Sequence, residues 1–74
     1  MKTYARGYSD CPEMQKARLQ LSGIGLYYFE TSLFDKPYEV NMNMPYFKTE
    51  SEAYKWIDSQ ENHDGSKKWH VIEE

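Results

Sequence analysis

Between Tyr38 and Ile57 the pattern of apolar and polar positions changes period once, and that change predicts two elements. Val40, Met42 and Met44 alternate with Glu39, Asn41 and Asn43, the two-residue period of a strand with one covered face. Pro45 follows and, having no N–H to give a ladder, ends central pairing. Thr49 with Glu52 three residues later reads as a capping box, in which each side chain satisfies a backbone donor that a new helix leaves open. Ala53, Trp56 and Ile57 then fall at the i, i+3, i+4 spacing of a helix stripe.

The N-terminal half carries a similar alternation. Residues 2–8 place Lys2, Tyr4, Arg6 and Tyr8 against Thr3, Ala5 and Gly7, which predicts a strand whose small side chains face a helix layer and whose tyrosines face outward. Asp10, Pro12 and Glu13 form a helix start signal, Met14, Ala17 and Leu21 a stripe, and Gly23 a stop, predicting a helix over 13–22. A strand competes for the same stretch, because Ala17, Leu19 and Leu21 also alternate with Arg18, Gln20 and Ser22. The absence of β-branched residues there favours the helix. Ile24 to Ser32 has strand composition, Asp35 to Pro37 turns the chain, Asp64-Gly65 marks a polar turn, and Lys68 to Ile72 is a last short strand.

The resulting order, β-α-β-β-α-β, predicts a single α+β domain over 1–74. Its expected form is a ferredoxin-like split βαβ, a four-stranded antiparallel sheet with two helices on one face. The run MPYFKTESEAYKWI, from Met44 to Ile57, resembles the third strand and second helix of peptidoglycan-binding SPOR domains. That family works outside the cytoplasmic membrane, whereas the start MKTYARGYSD has no apolar stretch of a secretory signal.

Composition narrows the function classes. A chain of 74 residues buries only about 60% of the surface its unfolded form exposes, so its stability rests on large side chains. Seven tyrosines, two tryptophans and three phenylalanines supply them. A net charge of −3 offers no broad field for a phosphate backbone, which counts against nucleic acid. One cysteine allows no internal disulfide and fits a reducing, cytoplasmic setting, and the longest apolar run, Leu26 to Phe29, is far too short to span a bilayer.

Little in the chain points to catalysis. His63, His70 and Cys11 lack metal-ligand spacing, the serines lie in turns and caps, and no glycine loop precedes a basic residue, so no metal, cofactor or enzymatic role is expected. The expected binding surface is the uncovered sheet face, with Tyr4, Arg6 and Tyr8 beside Asn41 and Asn43, and Tyr28 and His70 toward the rims. Tyrosine and arginine dominate protein interfaces, so the expected role is a protein-binding module. Its partner would be a host protein, as for small acidic accessory proteins of phages and mobile elements, or a second copy. The alternative is an RNA or single-strand binder that stacks bases on the same tyrosines.

Overall fold

The computed structural model describes residues 2–74. β1 (Thr3–Tyr8) and β2 (Cys11–Leu21) form a hairpin, β3 (Tyr27–Leu33) returns along β2, and β4 (Glu39–Val40) adds a short edge. The chain then crosses as α1 (Glu50–Ser59) and ends in β5 (His70–Glu73), which pairs with β1 at the opposite edge. The sheet order is β4-β3-β2-β1-β5, and every pairing is antiparallel.

This overturns the expected ferredoxin-like arrangement: five strands replace four and one helix replaces two. The difference lies in residues 11–21, which form the longest strand and not a helix. Their helix-forming residues are overridden because β2 has a ladder on each side, to β1 and to β3, and its alternation buries Ala17 and Leu19 while leaving Arg18 exposed. Pro12, read as a helix start, lies before Gln15, where the pairing with β3 begins, so its missing N–H costs no bond to β3. Cys11 accordingly sits in a strand opposite Tyr8 and has no helix end beside it.

Cross-strand register fixes which side chains share a face. Tyr4 lies opposite Ala17, Ala17 opposite Thr31, and Leu19 opposite Phe29. On this face α1 lays Ala53 and Ile57, and Trp69 closes the cluster just before β5. Tyr4 is fully buried, its ring edge-on to Phe29 at 6.4 Å and tilted against Tyr54 at 6.2 Å. The outward orientation expected for Tyr4 is therefore reversed, and the ring is core. Among the described residues its hydroxyl meets no partner at full hydrogen-bond geometry, Asp58 being the nearby acceptor, and burial, then the Asp58 charge, pushes its pKa well above the usual phenol value.

Two local features shape the ends of the sheet. A β-bulge between Arg6 and Tyr8 brings Gly7 onto β2, where an added Cβ would stand 2.0 Å from the Cys11 carbonyl oxygen. At the other end Phe34 and Asp35 adopt φ of 52° and 62°, and Lys36 N–H donates to Leu33 O at 3.2 Å. Such a turn normally carries Asn or Gly, because a side chain at positive φ crowds the backbone. The third strand expected from Tyr38 to Met44 pairs only at Glu39 and Val40, and Met42 is 88% exposed. The helix signals hold: Thr49 is the N-cap, its hydroxyl accepting from Glu52 N–H at 3.1 Å, and Ala53 and Ile57 are buried.

Tyr4→Phe is expected to leave stability unchanged or raise it by up to about 1 kcal/mol, since it removes an unsatisfied buried hydroxyl, while Tyr4→Ala costs about 3–5 kcal/mol. Phe34→Gly is expected to stabilise by about 1 kcal/mol, as the left-handed strain goes and a largely exposed ring is all that is lost. Urea unfolding of the three variants measures both effects.

Candidate functional site

Two surfaces remain once the core is placed. The first is the sheet face opposite α1. Register puts Gln20 beside Tyr28, Arg18 beside Glu30 and Lys16 beside Ser32 there, and no helix lies over them. Tyr28 stacks at a tilt against Tyr46 with ring centroids 5.5 Å apart. The Arg18 guanidinium lies 3.9 Å from the centroid of Tyr38 and is ion-paired to Glu30. Lys16 bonds Asp35 at 2.9 Å, and that bond and charge raise its pKa above the ordinary lysine value. Lys16 and Arg18 on this face are thus each paired with a carboxylate, beside the tyrosines and the exposed Val40.

The second surface is a cleft at the hairpin end. β5 pairs with β1 only along Thr3 to Ala5, and beyond Ala5 the 61–68 loop diverges from the end of β1. The loop is braced by the Glu61–Lys67 bridge, by Asn62 N–H donating to Ser66 O at 2.8 Å, and by Gly65 at φ 85°. Between loop and strand lies a cavity of about 560 Å³ with Arg6, Tyr8, His63, Lys67, Lys68 and His70 on its walls. Arg6 also reaches a neighbouring hollow of about 330 Å³, shared with Asn41, Asn43, Trp56 and Trp69, and its guanidinium lies 5.6 Å from the Trp69 ring centroid.

The residues expected to form one binding face are thus divided. Arg6, Tyr8 and His70 meet in the larger cleft, and Arg6, Asn41 and Asn43 in the smaller one. Tyr28 stands on the sheet face away from α1, and Tyr4 is in the core. Sequence reasoning passed over Tyr46, Tyr38, Lys67 and Lys68. The last two follow Asp64-Gly65, and a turn that folds Glu61 onto Lys67 brings the basic pair back toward β1; that turn was the available signal.

Among the described residues no group of three or more His, Cys, Asp and Glu is placed to hold a metal ion, and no helix is long and apolar enough to cross a membrane. Comparison with known proteins finds no matching family, no matching curated relative and no matching solved structure.

The Asp64 carboxylate accepts from Ser66 Oγ at 2.6 Å and from Ser66 N–H at 3.0 Å, and these bonds hold its pKa below the ordinary 3.8. A depressed folded value means the loop's stabilisation is present above the unfolded pKa and is lost only as pH falls through the lower folded one. Carbon-detected NMR titration is expected to give Asp64 a midpoint below 3.8, with the Ser66 amide shift moving in step.

Proposed function

We propose that the chain is a small non-enzymatic protein-binding module that docks its partner on the sheet face opposite α1. The observation that carries this reading is the stacked Tyr28 and Tyr46 on a face with no helix above it, next to Tyr38 under the Arg18 guanidinium. Tyrosines held by neighbouring rings lose little rotamer freedom on binding, and pre-paired charges leave little unsatisfied polarity to desolvate. In this reading the chain works in the cytoplasm as an inhibitor or regulator of a host protein, in the manner of the small accessory proteins of mobile elements. Docking on RNA is less well supported, because Tyr4, one of the two rings that reading needs, is buried, and Glu30 lies within the remaining face.

The double variant Tyr28→Ser/Tyr46→Ser separates binding from folding, since both rings lie outside the core cluster. Its circular dichroism is expected to match the unaltered chain. A protein retained by the unaltered chain and by Tyr8→Ser should be lost by the double variant, at tenfold or weaker affinity. Equal retention by all three, or a monomer that retains nothing, would sink the reading. Sedimentation equilibrium distinguishes a second copy as the occupant.

A further inference from the structure

The cleft at the hairpin end carries a different kind of chemistry from the tyrosine face. Three cationic side chains, Arg6, Lys67 and Lys68, line it. Among the described residues the ion pairs involve Lys16 and Arg18, and none involves these three. The one carboxylate on the same wall, Asp64, is turned into its own loop by its two bonds from Ser66. A chain of net charge −3 therefore sets three cations against one carboxylate on the wall of this cleft, with Glu61 lining the adjoining hollow beside Arg6 and Lys68. Concavity with low-dielectric walls strengthens the field felt by an anion there.

The direction of the donors narrows the ligand. Arg6 comes from β1, His70 from the start of β5, and His63, Lys67 and Lys68 from the loop, so three separate elements contribute polar side chains to the cleft, and the Arg6 guanidinium stands 5.6 Å from the Trp69 ring centroid. A carboxylate presents two oxygens in one plane and suits a single fork. A phosphoryl group presents three terminal oxygens in different directions, and an arginine fork with two ammonium groups is a common way of holding it. The volume, about 560 Å³, falls in the range of small-ligand pockets. Gly7, at the rim, lets β1 approach β2 closely, since a Cβ there would stand 2.0 Å from the Cys11 carbonyl oxygen.

We propose that this cleft is a binding site for the phosphoryl group of a small molecule, with Arg6, Lys67 and Lys68 as its anion-holding residues. The site is independent of the tyrosine face and stands whether or not a protein docks there.

The test is an amide NMR titration at constant ionic strength with inorganic phosphate, a nucleoside 5′-monophosphate, and acetate. Phosphate and the monophosphate are expected to give saturable shifts confined to Gly7, His63, Lys67, Lys68 and His70. Acetate should bind at least tenfold more weakly. Lys67→Ala/Lys68→Ala should keep the spectrum of the folded core and lose at least tenfold in phosphate affinity, and Arg6→Lys should lose several-fold despite keeping its charge. Tighter binding of the monophosphate identifies an esterified ligand, and equal binding identifies free phosphate; both support the site. Non-saturating shifts, shifts spread over all lysines, equal acetate affinity, or unchanged binding in the double lysine variant would each overturn it.

Discussion

The contact on which this fold depends is the burial of Tyr4 between the sheet and α1. A ten-residue helix has little stability of its own in water, so it forms because Ala53 and Ile57 find an apolar surface to cover. That surface is assembled from three strands: Tyr4 on β1, Ala17 and Leu19 on β2, Phe29 on β3. Its largest member is the Tyr4 ring, with Phe29 on one side and Tyr54 on the other. Phe47 and Trp56 extend the aromatic contacts from Phe29, and Trp69 ties in the chain entering β5. A short chain with only seven buried residues in its core cluster needs rings at those positions, because each buries more apolar area than an aliphatic side chain would.

Covering one face fixes the rest of the surface. With one helix for five strands, the opposite face stays in water, and its composition answers that condition. Arg18 with Glu30 and Lys16 with Asp35 pair across strands and turns, and Ala5, the small residue among them, is buried without a helix above it. The same topology creates the cleft. β5 enters only opposite Ala5, so the last residues of β1 lose their neighbour while the 61–68 loop supplies cationic groups across the gap. The open face and the cleft are thus consequences of where strands end, which is a property of the topology more than of any motif.

That is also why some of the structure could be read from the residues and some could not. The Thr49 N-cap and the Ala53–Ile57 stripe are local signals and they appear as expected, the Thr49 hydroxyl supplying the half of the capping box that accepts from Glu52 N–H. The segment 11–21 contains both a helix composition and a strand alternation, and the choice between them is made by ladders from β1 and β3, which lie elsewhere in the sequence. The alternation of Ala17 and Leu19 was the correct signal. For β1 the alternation was visible but not its sense. Tyr and Arg are amphipathic, so the set Tyr4, Arg6 and Tyr8 reads as outward; in the structure Tyr4 is core, Arg6 covers Trp69 and only Tyr8 is largely exposed. A one-residue change of sense exchanges the two faces, and with them the predicted contact surface.

Both edges of the sheet show how the chain limits association through its backbone. β4 offers only Glu39 and Val40, because the chain turns at once after them, with Asn43 N–H donating to Asn41 Oδ1 and Met44 N–H to Asn41 O. β5 is short, and its pairing with β1 shifts register between Thr3 and Tyr4, which bends the edge away from a flat template. A partner strand therefore finds little to extend on either side. What the surface offers instead is side chains, the Tyr28 and Tyr46 rings on the open face and the cations in the cleft, which differ in chemistry and share no residue.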